Sequence, residues 1–207
     1  EPSKKKIKDH NSLIIFDWDD TLLCTSFLTP NGFYREDLIL SRKELEKFEK
    51  LSELILKILT KAIDKGDVYI ITNASPGWVE YSAEKYYPKL NEIIKKVNII
   101  SARGEYEKEF PGDSRMWKIN SFLNTQKKFD TSLVTNLICV GDSLIEMEAA
   151  QIMASKFNKA FIKSIKFRQA PKPDELLKQL GLVNEQFEKI YASIKNLTIR
   201  VEKKIKK

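Results

Sequence analysis

Short apolar runs alternate along this chain with longer stretches whose apolar residues recur every three or four positions. Ser12–Phe16 and Asp67–Ile71 carry L-I-I-F and V-Y-I-I, continuous runs without polar alternation, and such runs predict strands covered on both faces. Val97–Ile100, Asn136–Val140 and Ala160–Ile165 supply a third, fourth and fifth strand. Between the first two, Leu45, Phe48, Leu51, Leu54, Ile55, Ile58, Leu59 and Ala62 fall at helical spacing, after the capping pair Ser41 and Glu44 and before a stop at Gly66. Ser75-Pro76 opens a helix carrying Trp78, Val79 and Tyr81, which Pro88 interrupts, and a shorter helix covers Lys89–Lys95. Ser114–Leu123 is a helix with Met116, Ile119, Phe122 and Leu123 inward, Leu144–Ser155 another, and Lys172–Leu180 and Glu185–Ile194 a terminal pair. Strand and helix in strict alternation predict an α/β fold, a doubly wound, Rossmann-like parallel sheet of five strands.

Two segments stand outside that alternation. Leu22–Glu36 centres on the turn residues Thr29-Pro30-Asn31-Gly32, flanked by Phe27, Leu28, Phe33 and Tyr34, and is expected to form a hairpin-like flap. Arg103–Asp113 is expected to be a charged loop turning at Pro111-Gly112. The organisation that follows is a basic arm over residues 1–11, one domain over 12–170, and C-terminal helices with a basic tail over 171–207, packed on or extending from that domain. At 207 residues a second full domain would be cramped.

Composition and charge narrow the function classes. No apolar run is long enough to span a bilayer, so no membrane span is expected. The net charge of +7 resides mostly in the two lysine-rich tails and leaves about +2 on the body, which argues against a nucleic-acid partner. Only Cys24 and Cys139 occur, both inside apolar runs, and buried reduced thiols fit an intracellular, cytoplasmic protein. The chain begins at Glu1 rather than Met, so organelle targeting stays open.

The polar residues at the strand ends carry the chemistry. In an open parallel sheet, groups at the C-terminal ends of neighbouring strands meet in one crevice. The first strand delivers Asp17 and Asp19 with Thr21 beyond, the second Thr72 and Asn73, and the fourth Asp142, with Glu146 four residues on; Lys118 lies on the helix between. So many carboxylates repel one another and require a cation, and hard oxygen ligands suit Mg²⁺. One carboxylate left free could attack phosphorus and a second, two residues away, could move the proton. A lysine and a threonine would hold the transferring group. Two carboxylates closing a buried strand are costly unless used.

D-W-D-D-T-L, I-I-T-N, the Lys118 helix and V-G-D-S-L-I-E resemble, in order, the four motifs of the haloacid dehalogenase-like (HAD) phosphatases, over roughly residues 12–165. The resemblance implies a Mg²⁺-dependent phosphoric monoester hydrolase working through an aspartyl-phosphate. By it Asp17 is the nucleophile and Asp19 the general acid/base. Thr72, Asn73 and Lys118 bind phosphate, and Asp17, the Asp19 carbonyl, Asp142 and Glu146 hold the metal. The fourth motif has Glu146 where the family commonly has Asp. The intervals that could hold a large substrate-selecting cap are filled by the flap and by core elements, so the resemblance implies an open site suited to a phosphate on a large partner such as a phosphoprotein, the alternative being that the flap with Phe27, Phe33 and Tyr34 closes over a small ligand.

The remaining polar residues have plainer roles. Asp20 is read as a turn carboxylate, Trp18 as packing, Ser143 as a helix cap, Asp113 and Arg115 as a loop and helix start, and His10 as part of the solvated arm. Read from its position, Asn73 either orients Asp17 or caps the turn after the second strand. A second function class is a binding or assembly subunit of a larger complex, docking through the tails and terminal helices.

Overall fold

The strand that ends in Asp17 and Asp19 lies inside the sheet. In a computed structural model, which describes residues 11–30 and 38–201, β1 (Asn11–Phe16) pairs in parallel with β2 (Asp67–Thr72) on one side and β4 (Val134–Gly141) on the other. β3 (Asn98–Ser101) adds beyond β2, then β5 (Phe161–Lys166) and β6 (Leu197–Arg200) beyond β4. The order β3-β2-β1-β4-β5-β6, all parallel, is a Rossmann-like sheet. The chain winds outward from β1 first one way and then the other, so the strand tips of β1 and β4 flank the point where the winding reverses.

Alternate residues of each strand build two cores. Ile14, Phe16, Val68, Ile70, Ile138 and Val140 pack under α2 (Arg42–Lys65), α3 (Trp78–Tyr86), α4 (Asn91–Ile94) and α8 (Pro173–Ala192). Leu13, Ile15, Tyr69, Ile71, Leu137 and Cys139 pack under α6 (Ser114–Gln126) and α7 (Leu144–Ala154). The lack of polar alternation follows from this covering of both faces. The capping box forms as expected: Glu44 N–H donates to Ser41 Oγ and Ser41 N–H to the Glu44 carboxylate. At the other end of α2, a Cβ on Gly66 would lie 2.1 Å from the Ser12 carbonyl oxygen, so only glycine lets the helix pass so close to β1.

Several expectations need correction. A sixth strand, β6, completes the edge; its residues alternate half-buried and exposed over only four positions, too short a pattern to stand out. The two terminal helices are one, α8, running through Gly181. Leu176, Leu180, Val183, Phe187 and Ile190 stay in phase across the glycine and are all buried. Each contributes about 1.5–3 kcal/mol on full burial, against about 1 kcal/mol for a glycine inside a helix. α8 packs along α2, with Lys61 Nζ bonded to Asn184 and ion pairs Lys47–Asp174 and Lys65–Glu188 at its flanks, so it belongs to the domain. The helix expected from Ser75-Pro76 begins at Trp78, behind Gly77 at φ +82. The charged loop opens instead with α5 (Ala102–Tyr106).

The flap is only partly within the described residues. There Thr25–Leu28 is a short helix, α1, rather than a strand, with Phe27 against Phe48 of α2 and Leu28 buried. Asn31, Gly32, Phe33 and Tyr34 lie outside the described residues, as do His10 and the basic arm and tail. No described helix is long and apolar enough to cross a membrane. Cys24 and Cys139 are free and buried, and burial pushes the Cys24 thiol up to about 12.

Candidate active site

Where β1 ends, sheet pairing continues for one more residue: Asp17 N–H donates to Val140 O at 2.9 Å, which fixes Asp17 against the tip of β4. The chain then turns tightly, Leu22 and Leu23 N–H both donating to Trp18 O at 2.9 Å. Trp18 is fully buried and donates its indole N–H to Ser82 Oγ at 2.9 Å, so it packs as expected. Asp20 adopts φ +55, a left-handed conformation its short polar side chain tolerates. Its carboxylate accepts the Ser26 N–H at 2.8 Å and the Ser26 hydroxyl, the turn role expected of it.

Lys118 reaches the same point from α6 on the opposite wall. Its side chain is fully buried, and its ammonium lies 2.7 Å from Asp17 Oδ1, 2.8 Å from Ile71 O and 3.1 Å from Glu146 Oε1. Those three contacts use all three N–H donors. Burial works against the charge, but Asp17 and Glu146 outweigh it and hold the lysine above its usual range. Glu146 is held low in turn, against its own burial, by Lys118 and Ser143. Asp17 goes the other way: burial raises it well above the usual aspartate value, with Lys118 opposing and Glu146, Asp19 and Asp142 adding to the rise.

Glu146 has a second role beside its contact with Lys118. Ser143 caps α7, and the Glu146 carboxylate accepts the Ser143 N–H at 3.1 Å and its hydroxyl, a full capping box. The S-x-x-E spacing of Ser143 to Glu146 is the signal for it. Gly141 leaves the room: a Cβ there would lie 2.8 Å from Glu146 Cβ and Cγ. Asp142, at the tip of β4, is pushed up to about 7 by burial and then by the charges of Glu146 and Asp20.

The Asp19 carboxylate accepts three hydrogen bonds. Thr25 Oγ1 (2.7 Å) and Trp78 Nε1 (2.8 Å) donate to Oδ1, and Thr72 Oγ1 (2.9 Å) donates to Oδ2. Thr72, expected to bind phosphate, therefore holds Asp19 here, and it also accepts the Ala74 N–H. Asn73 Nδ2 donates to Ser114 O at 3.0 Å, tying the end of β2 to the start of α6. Asp113 caps α6 through the Met116 N–H and Arg115 pairs with Glu148, and neither lines the cleft.

These groups line one cleft of about 580 Å³ at the strand tips. Asp17, Asp19, Asn73, Lys118, Asp142 and Glu146 all face it. Thr72 stands behind Asp19, and Thr21 Oγ1 is 3.4 Å from Asp17 Oδ2. Among the further lining residues, Thr25, Trp78 and Arg103 carry polar groups and were not marked as site residues in the sequence. Arg103, on α5, lies over the Trp117 ring and forms a two-pronged pair with Glu107, both nitrogens at 2.9 Å. None of the three follows a spacing rule, because each arrives from a different connection.

Among the described residues, five carboxylates (Asp17, Asp19, Asp20, Asp142, Glu146) line the cleft with two cations, Lys118 and Arg103, an excess of negative charge that suits a divalent cation. Among the described residues no three His, Cys, Asp or Glu side chains form a ready cage. Mg²⁺ does not need one, since it is held by one or two carboxylates and completes its shell with water and phosphate oxygens. Asp17 and Asp142, with the Asp19 carbonyl, fit that pattern. Glu146 is engaged at both oxygens by Lys118 and Ser143 and fits it only as an outer partner.

Fold and cleft define an α/β protein of Rossmann-like topology with a lysine-bridged acidic site at its switch point. No protein family matches the chain, and no curated protein matches it. Two solved structures of the Legionella pneumophila effector Ceg4 align with it. The one with an N-terminal TEV protease cleavage sequence is 16% identical over 86% of this chain and 95% of that one, with a TM-score of 0.49. The one with an N-terminal yeast Hog1p sequence is 14% identical over 89% and 97%, with a TM-score of 0.48.

Proposed function

We propose that this protein is a Mg²⁺-dependent phosphatase of HAD type that hydrolyses a phosphate monoester through an aspartyl-phosphate on Asp17. The observation that carries the reading is the buried bridge Asp17–Lys118–Glu146. A buried ion pair of this kind contributes little to stability over an apolar replacement, so its place at the strand tips is better explained by chemistry. Lys118 leaves Asp17 Oδ2 without a strong partner, with only the 3.4 Å contact from Thr21, and that oxygen is the one available to attack.

In the first half-reaction an Asp17 oxygen bonds to phosphorus as the bond to the leaving oxygen breaks, and Asp19 gives that oxygen a proton. In the second, Asp19 takes a proton from water as it attacks phosphorus, Asp17 is released and inorganic phosphate forms. Lys118 offsets the charge that builds on the transferring oxygens. Asn73, which lines the cleft, would donate to the same group through its amide. Mg²⁺, held by Asp17, Asp142 and the Asp19 carbonyl, would neutralise the phosphate and fix its approach.

Among the described residues, the interval from Asn73 to Ser114 is spent on α3, α4, β3 and α5, with no cap, which supports a phosphate carried on a large partner such as a phosphoprotein. α8 is committed to α2, which counts against that helix as a docking element for a larger complex. The test is hydrolysis of p-nitrophenyl phosphate with Mg²⁺. Turnover abolished in Asp17→Asn is expected; turnover equal in the two proteins, or none over a broad phosphate panel, defeats the reading.

A further inference from the structure

The indole of Trp78 is a cleft-lining group that the chemistry above leaves unused. It sits at the first residue of α3, behind the turn made by Ser75, Pro76 and Gly77, with its ring beside Tyr81 and half-buried. An indole at such a position could give its N–H to water. It gives it instead to Asp19 Oδ1, at 2.8 Å, across a sequence separation of 59 residues.

A carboxylate has about four acceptor positions, two on each oxygen. Thr25 and Trp78 take both on Oδ1, and Thr72 takes one on Oδ2. One position remains, on Oδ2. A proton carried by Asp19 has no other place to sit without breaking one of these bonds. Donors on both oxygens also stop the carboxylate from rotating about its last bond.

We propose that Trp78 is a positioning residue for the acid/base Asp19, confining its transferable proton to Oδ2 and aiming that oxygen at the leaving group. This rests on the phosphatase reading. As the bond from phosphorus to the leaving oxygen breaks, the proton passes from Asp19 Oδ2 to that oxygen, and in the second half-reaction the same Oδ2 takes the proton from the attacking water. Without the indole N–H, Oδ1 becomes an equally good seat for the proton, and a fraction of bound substrate faces the wrong oxygen.

The test exploits the leaving group. A nitrophenolate departs without a proton, whereas an alkoxide requires one. For Trp78→Phe we expect kcat on glycerol phosphate to fall roughly tenfold to a hundredfold, a part of the roughly 10²–10⁴-fold that general acid catalysis supplies. We expect kcat on p-nitrophenyl phosphate to fall less than threefold, and both KM values to stay put. Placing benzothienylalanine at position 78, which keeps the two-ring shape and replaces N–H by sulfur, should reproduce the split even where Trp78→Phe folds poorly. In an Asp19→Asn background Trp78→Phe should add no further loss. Equal losses on both substrates, a rise in KM alone, or an isostere that behaves as wild type would overturn the proposal while leaving the phosphatase reading intact. A wild-type protein without Asp17-dependent turnover would remove both.

Discussion

Lys118 illustrates what one residue does at this site. Its ammonium is wholly buried and is tolerated because three acceptors, two of them anionic, surround it. Breaking such a pair costs far more than the pair itself contributes, since the partners stay behind as buried charges. Lys118→Met should therefore lower stability by about 3–5 kcal/mol, measured as a shift in urea midpoint at constant slope, besides abolishing turnover. A loss below about 1 kcal/mol would mean that Asp17 and Glu146 find other compensation. Lys118 was assigned from its position on a helix alone, in a chain with 36 lysines and arginines. Its burial could not be read there, because a lysine looks alike in sequence whether it points to water or across a sheet.

At the scale of elements, the site depends on strand tips and helix starts. The tips of β1 and β4 present Asp17, Asp19 and Asp142, the first turn of α7 presents Glu146 as a capping residue, and α6 crosses behind with Lys118. The strands were legible because burial on both faces leaves a continuous apolar run. α8 was misread as two helices, since a single glycine interrupts a pattern whose phase is nonetheless continuous. A Cβ at Gly181 would meet nothing within 4 Å. Gly181→Ala should therefore stabilise the protein by about 0.5–1 kcal/mol in chemical denaturation and leave turnover unchanged. A destabilisation would place an unseen constraint on the middle of α8.

Over the whole molecule, the cleft gathers negative charge on a protein whose net charge is positive. Asp142 is raised to about 7, so the folded protein keeps that proton over a range in which an unfolded aspartate, at about 4, has lost it. Between about pH 4 and 7 the folded state binds more protons, and stability falls as pH rises; above 7 both states are ionised and the contribution is flat. Asp17 is shifted in the same direction. With chelator present, the stability of wild type relative to Asp142→Asn should thus decline between pH 4 and 7 and level off beyond. A difference independent of pH would contradict the burial of Asp142. Adding Mg²⁺ at pH 8 should raise the melting temperature of wild type more than that of Asp142→Asn, because a ligand of the folded state stabilises it by mass action. Equal shifts would move the metal away from Asp142.

The alternation of the first five strands with helices and the Rossmann-like class were legible in the sequence because periodicity is a local property, and the candidates Asp17, Asp19, Thr72, Lys118, Asp142 and Glu146 were marked there by strand-end position and by their resemblance to four ordered motifs. Tertiary structure decided what those residues touch. It bound Thr72 to Asp19, split Glu146 between a helix cap and Lys118, brought Thr25, Trp78 and Arg103 into the cleft, and added β6 at the edge. Apart from the local Ser143–Glu146 cap and the nearby Thr25, these contacts join segments tens of residues apart, and they are fixed by which strands pair and how closely helices pack on them. A hydrogen bond from Trp78 to Asp19 leaves no periodic trace in either segment, so only the closed fold could reveal it.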